Sequence, residues 1–510
     1  MTVYHINKGI GLASSGIEYA QKYRFDLVRD FPERQLFIFC DYIYSNYTRF
    51  TENMGLPVDV TLNVYKFMAG QENHASTYTV ADFEAQLTED FEKTESPDGR
   101  FVNFVSADGT VKYIVWLITE GPFIGAVDRV DTVIANRLQE VAHYSDRLTS
   151  VDYYSGAEVS VRYFYDEAGT LSMRQFLAGG NLQLTLLKDG RSLQGEHEFN
   201  LAFFTQLNFT PEDLVIIDRN QDLTDALFPV KNASHFVVVV HAEHFSTHLT
   251  DENWTLWNNY YEHVFTREDM IDTFITSTDA QTEKLRKQFA TAGHPDVRVI
   301  TIPVGTVPEL SRGAHVEENK FKFLTASRLA AEKHIDVLVK AVAEAKKTLP
   351  ALEFHIYGEG ATRKLVEDTI KKLSAEAYIT MEGHKNLADE YAKYGGYLTA
   401  SGSEGFGLTI LEAVAANLPL IGLDVDYGNT TFIENGVNGF RLAREEDEAQ
   451  QVEEFAAAIV KLVQTLDYPR AIAASQKLAE PYLADHVRQL WRTLYDECQT
   501  RLAESEDLRS

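Results

Sequence analysis

Short runs of apolar and β-branched residues, too brief for helices and without the alternation of half-exposed strands, recur along this chain with helical stretches between them. Residues 3–6, 36–40, 214–218, 236–240 and 273–276 form one series, and residues 321–325, 353–357, 378–381, 397–400 and 420–423 form a second. Unbroken apolarity is what a strand in a parallel sheet requires, because crossover helices cover both of its faces. The pattern predicts an α/β chain of two doubly wound, Rossmann-like domains. The first opens with a strand, a turn rich in small residues (Gly9, Gly11, Ser14, Ser15, Gly16), a helix from Ile17 to about Asp30, and a second strand.

Residues 48–199 interrupt the first series. Segments 101–105, 112–117, 159–165 and 182–187 alternate aromatic and β-branched residues, with turn pairs at Asp108-Gly109, Ala168-Gly169, Gly179-Gly180 and Asp189-Gly190. That is hairpin spacing, so a β-meander is expected as an insertion. The expected organisation is residues 1–47 and 200–312 for the first domain, 48–199 for the insertion, 313–480 for the second domain and 481–510 for a terminal helical segment, with the link between the halves at 303–313. Two such domains facing each other place a ligand at the carboxyl ends of both sheets.

Charge narrows the partners. The 47 basic and 76 acidic residues among 510 leave a net charge of −29, and no local run of Lys and Arg offsets it, which argues against nucleic acid. No uncharged apolar stretch approaches the ~18 residues of a spanning helix, and the N-terminus lacks the apolar core of a signal peptide. Cys40 and Cys498 are too few for a disulfide framework, which suits a reducing cytosol.

The chemistry concentrates in three places. Ser403-Glu404-Gly405-Phe406-Gly407-Leu408, followed by Glu412, comes directly after strand 397–400. The glycines let backbone N–H groups approach a ligand, and the following helix turns its positive end toward the same point, an arrangement phosphate favours. Ser327-Arg328-Leu329 with Lys333 follows the first strand of the second domain. An Arg and a Lys there oppose the helix dipole, yet they can stabilise a departing nucleoside diphosphate without a metal. His241-Ala242-Glu243-His244 ends strand 236–240. A zinc site on the two histidines is disfavoured, since no third ligand follows at a familiar spacing.

The Glu404 and Glu412 pair, Ser-Arg-Leu with Lys333, and Ile302-Pro303-Val304-Gly305 resemble retaining, metal-independent glycosyltransferases of the GT-B architecture. Within that class, the opening from Gly9 to Gln21, His241 to His244, Trp257-Asn258-Asn259-Tyr260-Tyr261 and the β-rich insertion are most similar to the GtfA-type enzymes that start O-glycosylation of serine-rich-repeat adhesins. The resemblance implies a UDP-sugar substrate, usually UDP-N-acetylglucosamine, no cofactor or metal, and Ser/Thr hydroxyls of the adhesin as acceptor. It implies that Arg328 and Lys333 hold the diphosphate, that His241 and Glu404 contact the sugar, and that Glu404, Gly405, Phe406, Gly407 and Leu408 surround sugar and phosphates. Glu412 would take the ribose, Gly383 and His384 would border the uridine, and Gly16, Ile17, Glu18 and Tyr19 would lie by diphosphate and acceptor. It also implies a non-catalytic GtfB-type partner docked on the insertion, and a bacterial complex either free in the cytoplasm or peripheral at the inner face of the cell membrane.

Three other readings share these motifs: UDP-glucose as donor, the non-catalytic partner itself, and a glycolipid or teichoic-acid transferase. The charge-stabilising set weighs against the partner, and the meander weighs against the lipid or teichoic-acid enzyme.

Overall fold

The computed structural model describes residues 1–11, 16–43, 47–247, 249–311 and 315–507; Ser14, Ser15 and Gly313 lie outside the described residues. The first series forms a seven-stranded parallel sheet. Its spatial order is Val299–Thr301, Thr273–Thr276, His235–Val240, Leu214–Ile217, Thr2–Asn7, Arg34–Phe39 and Thr61–Asn63. The second series forms a six-stranded parallel sheet, ordered Ile379–Gly383, Glu353–Tyr357, Lys322–Ala326, Gly396–Thr399, Leu420–Leu423 and Gly439–Leu442. Leu214 to Ile217 and Phe236 to Val240 are almost wholly buried, as a sheet covered by helices on both faces demands.

The insertion is a ten-stranded antiparallel meander from Phe91–Glu95 to Ser192–Gln194, each strand paired with its neighbour in sequence. At Asp108-Gly109 the Asp108 carboxylate accepts from the Thr110 amide, and Gly109 takes φ 73°, a left-handed conformation that glycine adopts freely. The insertion starts later than the sequence suggested. The helix Tyr47–Met54 packs on Phe25, Phe37 and Phe39, Thr61–Asn63 pairs with Arg34–Phe39, and helix Val64–Ala69 packs into the first domain's core. Residues 48–69 therefore complete the first domain, and His241 ends its fifth strand in chain order rather than the fourth.

The meander is fused to that domain. Phe164, Met173 and Leu182 from its inner strands join the core that holds Ile6, Val215 and Phe236. Phe67 of the helix leading into the insertion meets Phe203 of the helix leading out, with ring centroids 5.3 Å apart. The far strands enclose a separate core around Phe104, Val115 and Val130, capped by Tyr78 and Phe83.

The terminal helix Ala484–Asp507 returns to the first domain and packs on helix Gly16–Val28. Trp491 and Tyr495 are buried there, and the Arg492 guanidinium donates two hydrogen bonds of 2.9 Å to Glu33. Such bidentate pairs are geometrically specific.

Candidate functional site

In the first lobe, strand ends and the helix Gly16–Val28 converge. Asn7, the last residue of its strand, donates from Nδ2 to Glu18 at 3.1 Å and to Gln21 at 2.9 Å, which turns both side chains inward over the sheet edge. Gln21 in turn donates to Asp218 Oδ2 at 2.8 Å, and Arg24 grips both carboxylate oxygens. His241 Nε2 donates to Asp218 Oδ1 at 2.8 Å, and the His241 and Ala242 amides donate to Tyr261 Oη. Burial pushes the Asp218 carboxyl up, but the Arg24 charge and the His241 contact outweigh it and hold the group well below the usual carboxylate range. Glu18 is buried, whereas Tyr19 is half-buried and Gly16 is exposed.

In the second lobe, Gly407 at φ 85° opens the helix Leu408–Ala415, and no side chain caps it. Its first-turn amides lack intrahelical partners, as at any helix start. Glu404, two residues before Phe406, is held by its backbone, whose carbonyl accepts from the Gly428 amide at 3.1 Å. Its side chain accepts from Lys333 Nζ at 2.8 Å, with both side chains 19% exposed. Phe406 is buried on Phe432 and Tyr482, and Leu408 packs toward the same core, so these two anchor the loop through their side chains. A Cβ at Gly405 would lie 2.5 Å from the His241 carbonyl oxygen, so only glycine permits the two lobes to meet so closely there.

Glu412 is enclosed. Tyr391 Oη donates to one carboxylate oxygen and Tyr23 Oη of the first lobe to the other, both at 2.7 Å. Burial raises its pKa above the ordinary value, and the two phenol hydrogen bonds only partly offset that.

The structure thus brings Lys333 onto Glu404, Gly405 onto the His241 backbone and Glu412 onto Tyr23. Arg328 stands apart: its side chain is 68% exposed and paired with Glu332. Gly383 ends the edge strand of its sheet, two strands from Ser327, or about 10 Å along the sheet edge; His384 beside it is exposed. His244 is not paired with His241: its Nε2 donates to Gln288 Oε1 at 2.7 Å, and its ring stacks on Tyr427 of the second lobe. Among the described residues no group of three His, Cys, Asp or Glu could hold a metal. Sequence reading missed Asp218, Arg24, Tyr23 and Tyr391. Only Asp218 carried a signal, as a charged residue ending a wholly apolar strand.

Comparison with known proteins matches residues 307–473 to the family model "Glycosyl transferases group 1". The UDP-N-acetylglucosamine--peptide N-acetylglucosaminyltransferase GtfA subunit of Streptococcus agalactiae is 38% identical over 502 residues, covering 96% of this chain and 97% of its own. The crystal structure of the pneumococcal O-GlcNAc transferase GtfA in complex with UDP and GlcNAc superposes with a TM-score of 0.92 at 37% identity, covering 98% of this chain and 99% of that one. The GtfA/B complex superposes with a TM-score of 0.85 at 34% identity, covering 98% of this chain and all of the other. A likeness this close over both lobes and the meander has one reading: the chain belongs to the GtfA-subunit family of glycosyltransferases.

Proposed function

We propose that the chain transfers N-acetylglucosamine from UDP-N-acetylglucosamine to Ser/Thr hydroxyls of a serine-rich-repeat adhesin, with the anomeric configuration retained and no metal required. The observation that carries this reading is the pairing of Lys333 with Glu404 directly before an uncapped helix start, against the His241 backbone of the other lobe. The acceptor oxygen attacks the anomeric carbon, the bond from that carbon to the diphosphate breaks, and the hydroxyl proton leaves on the departing phosphate oxygen. Lys333, the helix amides and a swung-in Arg328 meet the emerging charge, while His241 and Glu404 orient the sugar. Glu412 receives the ribose, Gly383 and His384 border the base, and Glu18 and Tyr19 face the acceptor side.

The insertion is assigned to a GtfB-type partner, in a complex working in the cytoplasm. Support comes from the meander's extent and from the solved GtfA/B complex of a relative. Among the described residues no helix is long and apolar enough to cross a membrane. The test incubates the protein with UDP-N-acetylglucosamine or UDP-glucose and a Ser/Thr-rich peptide, with and without partner. Acceptor-dependent UDP release with N-acetylglucosamine on the peptide is expected. Glucose on the peptide would change the donor, and transfer to glycolipid alone or no turnover with partner present would overturn the assignment.

A further inference from the structure

The groups behind His241 form a chain that runs out of the cleft and into the terminal helix. Asp218 is fully buried and takes hydrogen bonds from His241, Gln21 and Arg24. Arg24, itself buried, lies with its guanidinium 4.8 Å from the ring centroid of Trp491, which comes from the helix Ala484–Asp507. A guanidinium held between a carboxylate and an indole face keeps its charge and its plane fixed. Asp218 cannot rotate away from His241 without breaking its contacts with Arg24 and Gln21.

This fixes more than the ring's position. A carboxylate is only an acceptor, so the His241 nitrogen facing it, Nε2, must carry a hydrogen. In the neutral ring Nδ1 then has a lone pair, and among the described residues no partner is found for it.

We propose that Asp218 is a positioning residue for the transfer reaction: backed by Arg24 and Trp491, it sets the Nε2–H form of His241 and leaves Nδ1 as an acceptor for a sugar hydroxyl of the donor. The inference rests on the function proposed above in assigning His241 to the sugar. It adds which nitrogen does the work, which residue decides that, and that the last helix of the chain takes part.

Two measurements test it, and the first needs no turnover. ¹⁵N NMR of the full chain with labelled histidine should show His241 protonated at Nε2 and bare at Nδ1, with a change on adding UDP-N-acetylglucosamine but little on adding UDP. A bare Nε2 in the wild-type chain would overturn the proposal, whatever sugar the enzyme proves to use. The second compares kcat with KM. Asp218→Asn, and Arg24→Gln with Asp218→Asn in case the lone charge prevents folding, should lower kcat at least 10-fold with UDP affinity within about 2-fold of wild type. Trp491→Phe should restore most of the kcat that Trp491→Leu loses. Folded variants that bind UDP and turn over at the wild-type rate would refute the role. If the tautomer is as stated but transfer proves to be of another sugar, only the function reading fails.

Discussion

Tyr23 Oη donates to Glu412 Oε1 at 2.7 Å, a hydrogen bond from the first helix of one lobe to the enclosed carboxylate of the other. The closed arrangement is therefore built partly from a residue that the donor is proposed to use. A carboxylate has about four acceptor positions, and the two phenols occupy two of them, so the ribose has room without expelling either tyrosine.

Tyr23→Phe should cost about 1.5–3 kcal/mol, the range for a hydrogen bond to a charged group. Thermal unfolding of the variant reads that cost, and calorimetry with UDP should show weaker binding. An unchanged melting temperature would mean that the contact does not persist in solution.

Glu412 also has a pH signature. Its folded-state pKa lies above the ordinary value because burial disfavours the charged form. The folded protein then binds a proton more readily than the unfolded chain, so this group's contribution to stability rises as pH falls through that window and is least favourable above it. Glu412→Gln should match or exceed wild-type stability at pH 7, with the difference shrinking toward pH 4, while UDP binding falls at every pH. Denaturant melts across pH, paired with calorimetry, check both halves.

Lys333→Ala should lower kcat about 10²–10³-fold, the effect of removing one charge-stabilising donor. Glu404→Gln should nearly abolish transfer with the fold intact. Arg328→Ala should leave stability within about 0.5 kcal/mol, given an exposed side chain paired only with Glu332, yet it should still slow transfer. Wild-type turnover in that last variant would remove Arg328 from the reaction.

Met173→Ala should cost about 2–5 kcal/mol, because this insertion residue is buried in the first domain's core. UDP affinity, assigned above mainly to residues of the other lobe, should hold. Excising the whole meander would for the same reason expose Phe164, Met173 and Leu182 partners, so substitutions on the outer strands are the cleaner test of partner docking.

The parallel strands were legible because burial on both faces writes itself as unbroken apolarity, and Gly405, Gly407 and His241 were legible because they interrupt those runs. Thr61–Asn63 was not: three residues cannot display a period, and its hydrogen bonds to Arg34–Phe39 decide its place. Asp218 with Arg24 and Tyr23 with Glu412 are separated by 194 and 389 residues, so no local pattern could join them. The exposed setting of Arg328 was equally hidden, since a side chain's direction depends on neighbours such as Glu332 as much as on its motif.

Phe67 and Phe203 touch where the chain leaves the first domain and where it comes back. The ten-stranded sheet thus enters and leaves at one point and is fused to the domain through its inner strands, so its outer strands can change without disturbing that attachment. A lineage can lengthen, shorten or re-surface that appendage to suit a new protein client while the sugar-handling machinery stays as it was, so that client choice and donor chemistry can evolve on separate schedules.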